Sequence, residues 1–160
     1  EPQNKEIRPM SLNKVLDEIR DLCWERFRSH GVAIEFQIEG EHIVLAEPTG
    51  LSQILINLLN NAQQAVSAAK EKRISLQVLV PKSGDVLEIH VKDSGSGVSP
   101  KISKRIFEPF FTTKEPGQGT GLGLSLSQAI AIRFGGQIRL LELVPGSGAH
   151  FVLKLRTGKM

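Results

Sequence analysis

After Ser11, apolar residues recur at Leu12, Val15, Leu16, Ile19, Leu22, Cys23 and Phe27, the alternating three-and-four spacing of one helix face. Ser11 is placed to N-cap that helix and Gly31 to end it. Cys23 and Trp24 read as core or core-edge residues. The period then changes to two. Residues 32–38 alternate apolar and polar, residues 40–42 turn, and residues 43–46 are again extended, which predicts a β-hairpin. A second helix is predicted over residues 48–70. Pro48 suits a first turn, and Leu51, Leu55, Leu59, Ala62 and Val66 share one face. Residues 73–80 and 85–92 read as strands joined by the Pro-Lys-Ser-Gly turn at 81–84. Residues 98–106 have room for a short helix. A third long helix spans residues 122–134 and stops at Gly135-Gly136, and two last strands, 137–143 and 149–155, connect through Pro145-Gly-Ser-Gly148. Residues 1–9 read as a tether, with residues 6–8 as a short edge strand. Helices separated by strand pairs imply an α+β two-layer sandwich, a mixed, mostly antiparallel sheet covered on one face by three helices.

Residues 107–124 break both periods. The stretch opens on Phe107, Phe110 and Phe111, passes Lys114, and ends with glycine at alternate positions from Gly117 to Gly123. Such glycines make a poor strand. They do let backbone N–H groups crowd around an anion, beside the positive end of the helix that follows. The stretch therefore reads as a mobile phosphate-binding flap, with the three phenylalanines docking its base on the core.

Composition narrows the class without naming a function. At 160 residues, 40% hydrophobic and 23% charged, the chain reads as one globular domain with a real core. One cysteine leaves no internal disulfide framework, which fits a reducing compartment. A net charge of +3 with no Lys/Arg block argues against nucleic acid as a partner. Residues 48–69 carry no formal charge, but their Gln and Asn make a poor membrane span. The polar N-terminus is no signal peptide. The chain opens on Glu1 rather than Met, as expected for a piece of a longer protein.

Two polar constellations stand out. On the second helix Gln53, Asn57, Asn61 and Gln64 form a stripe, with Asn60 beside it. Solvated helix faces favour Lys and Glu, and Asn disfavours helix. A row of amides suits a polar pocket, because each supplies an oxygen for a metal ion and N–H donors for phosphate; capping or surface amides are the alternative. Asp93 has the parity of Leu87, Ile89 and Val91, so a carboxylate at a strand end points where buried residues point. Gly95 and Gly97 after it let a flat ligand lie against backbone, although Asp-Ser-Gly also suits an Asx-turn. A P-loop, a dinucleotide fingerprint, a zinc site and a serine triad find no support in the spacing of glycines, histidines and serines.

Taken together these stretches resemble a known family. Asn57-Leu-Leu-Asn-Asn61-Ala-Gln-Gln-Ala is similar to the N box of sensor histidine kinases. Asp93-Ser-Gly95-Ser-Gly97 resembles their first glycine box, Phe107-Glu-Pro-Phe-Phe-Thr-Thr-Lys114 their F box, and Gly119-Thr-Gly-Leu-Gly123-Leu their second glycine box. The four occur in order, cover nearly the whole chain, and look closest to the nitrogen-regulation type. The resemblance implies the Bergerat ATP-binding sandwich shared with DNA gyrase B, Hsp90 and MutL. It gives Asp93 the adenine amino group and sets Gly95 and Gly97 along the adenine pocket. Asn61 and Asn57 would face Mg²⁺ and the phosphates of ATP. Thr120, Gly121, Leu122 and Gly123 would meet the phosphates, and Lys114 would move as the flap closes.

Two departures from the wider fold family shape the expected chemistry. The hydrolysing relatives place Glu where this chain has Asn57, and an amide cannot take a proton from water. The domain is therefore expected to hold ATP with slow hydrolysis and to pass its γ-phosphoryl elsewhere by positioning and charge neutralisation. The phosphoacceptor histidine of the family lies in a separate helical hairpin, and none of His30, His42, His90 and His150 has its context. Residues 1–10 are thus expected to tether an absent dimerisation and phosphoacceptor domain, residues 11–160 to form a monomeric catalytic domain, and a response regulator receiver domain to take the phosphoryl onward. The setting expected is cytoplasmic, with a parent protein that is free to be membrane-anchored. A serine kinase of the anti-sigma type and a non-catalytic nucleotide-sensing module are the rival readings.

Overall fold

The structure, a computed structural model, describes residues 6–114, 119–141 and 147–160. Its elements are β1 (Arg8–Ser11), α1 (Leu12–Ser29), β2 (Ala33–Gln37), β3 (Ile43–Ala46), α2 (Pro48–Val66), β4 (Arg73–Leu79), β5 (Val86–Asp93), α3 (Gly123–Arg133), β6 (Gln137–Leu140) and β7 (His150–Arg156). Five strands form one sheet in the order β2-β4-β5-β7-β6, and β1 pairs with β3 in a separate ribbon. The β2–β4 pair is parallel and the other pairs are antiparallel. This is the α+β two-layer sandwich expected, with three helices over a mixed sheet.

The first two helices are explained by their sequence. Ser11 caps α1, its Oγ accepting from Lys14 N at 3.3 Å, and Leu12, Val15, Leu16, Ile19, Cys23 and Phe27 are buried. Leu22 and Trp24 lie outside the core at 70% and 51% exposure. At the start of α2, Glu47 accepts from Thr49 N and Gly50 N, both at 2.8 Å, and pairs with Arg133 of α3 at 3.5 Å. In α2, Leu51, Ile54, Leu55, Leu58 and Leu59 are fully buried, because this helix touches α1, α3, β4 and β5 at once. Truncating one of these leucines to Ala costs about 2–5 kcal/mol. Opposite them, Leu76, Leu87, Ile89, Val91, Leu153 and Leu155 fill the inner face of the sheet.

Four expectations are corrected. Residues 32–38 and 43–46 form no hairpin: β2 runs parallel to β4, with α2 in the crossover, and β3 turns away to pair with β1. The edge strand is Arg8–Ser11, slightly later than expected, with Met10 buried. Residues 100–107 are a chain of turns rather than a helix. Their bonds alternate between three- and four-residue reach (Ile102 N and Ser103 N to Ser99 O, Arg105 N to Ile102 O) and never propagate. Helix α2 ends at Val66, four residues short of the reading, where Ser67 turns its hydroxyl back on Gln64 O. Residues 142–143, expected to extend β6, and the turn residues 145 and 146 lie outside the described residues, as do residues 1–5 and Gly117.

Candidate nucleotide site

Asp93 is the last residue of β5, paired across to Ile74. Its Oδ1 accepts from Gly95 N at 2.9 Å and from Ala149 N at 3.1 Å, while its own N–H donates to Ala149 O at 3.0 Å. The Asx-turn reading applies to one of the two oxygens. Oδ1 closes the turn, and Oδ2 accepts no protein bond among the described residues. Burial pushes the carboxyl pKa up, against the two N–H bonds, which pull it down. A Cβ on Gly95 would collide with Ala65 O, and one on Gly148 with the Asp93 backbone. Both glycines are therefore required by close backbone approach, Gly95 to the end of α2 and Gly148 to the end of β5.

Asp93 opens into a cavity of about 850 Å³. Asn61 and Gln64 of α2 face into it, and neither amide is hydrogen-bonded to protein among the described residues. Val98, Ile102, Ile106, Phe111, Leu124 and Phe151 give it an apolar wall, and Gly97, Lys114, Gly119, Thr120, Gly121 and Gly123 line the flap side. Burial lowers the Lys114 pKa. Helix α3 starts at Gly123 with no side-chain cap, so its first-turn N–H groups stand ready for an anion at the cavity.

A second hollow of about 680 Å³ shares Asp93 but is lined by Glu35, Lys70, Glu71, Arg73 and Lys92. It lacks both the amides and the flap, so the larger cavity is the candidate site.

Several site residues lie elsewhere than the sequence implied. Asn57 does not line the cavity: its Nδ2 donates to Ser127 Oγ at 3.0 Å and to Gly123 O at 3.4 Å. Asn60 Oδ1 accepts from Arg26 at 2.6 Å, tying α1 to α2. Leu122 and Gly95 are not on the wall, although Leu122 N donates to Thr120 Oγ1 at 3.2 Å. Phe111 lines the cavity under Arg105, and Phe107 docks the flap base on the core as expected, edge-on to Phe151. Phe110 does not. It holds φ +68° and is 74% exposed, because its N–H is drawn back to Gly121 O at 2.9 Å. The sequence reading missed Ala149 and Gly148 behind Asp93; their only signal was a small-residue run at a strand start. It missed Ser127 altogether.

Comparison with known proteins agrees with this geometry. The profile of the histidine kinase-, DNA gyrase B-, and HSP90-like ATPases matches residues 46–159. The signal transduction histidine-protein kinase AtoS of Escherichia coli is 37% identical over 155 residues, 96% of this chain and 24% of its own length. The two-component sensor PprA of Pseudomonas aeruginosa is 37% identical over 138 residues, 84% of this chain and 15% of its own. The chain thus spans about a quarter or less of these relatives. Among solved structures, the nucleotide-free catalytic domain of the histidine kinase ThkA superposes with a TM-score of 0.79 at 29% identity, covering 94% of this chain and 96% of that one. Full-length ShkA in complex with AMPPNP gives 0.79 at 26% identity, covering 96% of this chain and 32% of that one.

Proposed function

Because the chain belongs to the histidine kinase-, DNA gyrase B-, and HSP90-like ATPases, as a catalytic ATP-binding domain of the sensor histidine kinase kind, we propose that it binds Mg²⁺–ATP in the 850 Å³ cavity and passes the γ-phosphoryl to a histidine of a separate dimerisation domain. One observation carries the reading. Asp93, with one carboxylate oxygen unbonded to protein among the described residues, and the unbonded amides of Asn61 and Gln64 line one cavity beside a glycine-rich flap.

Asp93 Oδ2 accepts the adenine amino group, and Gly97, with Gly95 holding the turn, lets the ring lie against backbone. The apolar wall excludes water from the base. Backbone N–H groups from Thr120 to Gly123 receive the phosphates at the start of α3, and Lys114 follows as the flap closes. The donor set fits Mg²⁺ brought in on the phosphates: neutral amide oxygens of Asn61, with Asn57 one turn away, and no carboxylate cage. Bound there, the ion supplies charge neutralisation between phosphate oxygens. With Asn at position 57 no carboxylate stands by to activate water, so hydrolysis stays slow and transfer dominates.

The finer readings rest on the same residues. The boxes support the nitrogen-regulation type, and residues 1–10 read as the link to the dimerisation domain. A response regulator receiver domain is the onward acceptor, in the cytoplasm; among the described residues no helix is long and apolar enough to cross a membrane.

The test mixes the chain with a separately made acceptor hairpin and γ-labelled ATP. Label that is lost in acid and kept in alkali is expected. Acid-stable label would point to a hydroxyl acceptor, and binding without any transfer to a sensing module.

A further inference from the structure

We propose that Ser127 is a positioning residue for Mg²⁺–nucleotide binding, holding the Asn57 amide in the orientation that the Gly123 carbonyl selects. The proposal rests on the nucleotide reading above. An asparagine side chain carries a carbonyl oxygen at one end and an NH₂ at the other, so a half-turn about its last bond exchanges a cation ligand for a phosphate donor. Within α2 nothing decides between the two. Helix α3 does. The Gly123 carbonyl only accepts, so the amide end 3.4 Å from it is the NH₂; reversed, two oxygens would face each other. That bond is long, and the shorter one runs to Ser127 Oγ at 3.0 Å.

Ser127 is wholly buried, and with Glu47 it makes up the buried polar side chains among the described residues. A hydroxyl buried on a helix is costly unless bonded, and Asn57 supplies that bond from the neighbouring helix. With its NH₂ held by α3, Asn57 keeps Oδ1 without a protein donor among the described residues. That oxygen is not fully enclosed, since His90 Nε2 is the one fully buried side-chain atom among the described residues that lacks a partner. One turn on, Asn61 lines the cavity with its amide unbonded. Two amide oxygens a turn apart suit a hard cation that arrives with its own phosphates. The same pair of bonds fastens the exit of the flap, at Gly123, to α2. Orientation of the amide and formation of the first turn of α3 are therefore one event.

Calorimetric titration of the 160-residue chain, with Mg²⁺–ATP and separately with ADP in chelator, tests this. Ser127→Ala is expected to weaken Mg²⁺–ATP binding roughly five- to tenfold, the loss of one buried hydrogen bond, and to leave metal-free ADP binding unchanged. In an Asn57→Ala background Ser127→Ala is expected to add nothing. Equal losses for both ligands would make Ser127 ordinary packing and overturn the proposal. An undiminished loss in the Asn57→Ala background would overturn it too. Wild-type chain that binds neither ligand would instead sink the nucleotide reading on which the proposal stands.

Discussion

Replacing Asp93 by Asn isolates the recognition of adenine. The proposed function divides the carboxylate's work between two oxygens: Oδ1 accepts from Gly95 and Ala149, and Oδ2 would take the ligand. Asn retains the first function and reverses the second, setting an NH₂ against the adenine amino group. The change removes a hydrogen bond to a charged acceptor, worth about 1.5–3 kcal/mol, and leaves a donor unpaired at about 1–3 kcal/mol. Affinity for ADP is expected to fall by a factor of roughly 10² to 10⁴. Stability is expected to move the other way. Burial raises the Asp93 pKa, so the folded state binds the proton more tightly than the unfolded state. Folding therefore loses stability as pH rises through the folded value. A neutral Asn escapes it, so the Tm at pH 7 should hold or rise while binding disappears. Calorimetry and thermal melting on the same sample read both quantities. ADP binding within a few-fold of wild type refutes the assignment of Oδ2, and a collapse in Tm refutes the division of labour between the oxygens.

Two further outcomes concern other parts of the molecule. On the outer face of the sheet His90 Nδ1 and His150 Nε2 lie 2.7 Å apart, with Glu88, Lys92 and Arg139 around them. Desolvation lowers both pKa values, His150 from 6.5 to about 4. The unfolded chain takes up these protons first, so the urea midpoint should fall as pH drops from about 6.5 towards 4, and His150→Gln should flatten the fall. A midpoint indifferent to pH in wild type counts against the desolvation of this half-buried pair. Gly121, at φ +69°, has no room for a Cβ against the Phe110 backbone. Gly121→Ala should weaken ATP binding about tenfold or more with little change in Tm, since the residues there bury little; fluorescent-nucleotide displacement at wild-type affinity would show the flap base to be unimportant.

Local pattern carried α1, α2 and the β4–β5 pair, because their periodicity and turn residues lie within a few residues of one another. It failed where partners are distant. The alternation in residues 32–38 and 43–46 showed two strands but not whom they pair with. Adjacency favours a hairpin, whereas Ala33–Gln37 finds β4 beyond a whole helix. Arg8–Ser11 has no alternation to reveal it and is a strand because β3 offers a free edge. The site shows the same division. Asp93, Asn61 and the flap glycines were legible from parity, residue type and spacing. The capture of Asn57 by α3 and the backing of Asp93 by Ala149 join segments about 60–70 residues apart, and no local signal encodes them.

The β1–β3 ribbon has a mechanical consequence. Pro9 faces Leu45, Gly158 N donates to Ile43 O at 2.9 Å, and Val44 bridges Thr157, so both ends of the described chain leave from one corner. From that corner β3 runs straight into Glu47 and the shaft of α2. Asn61 sits fourteen residues further, about 21 Å at 1.5 Å per residue. A twist applied at that corner would be carried along this shaft to the cavity wall that Asn61 forms.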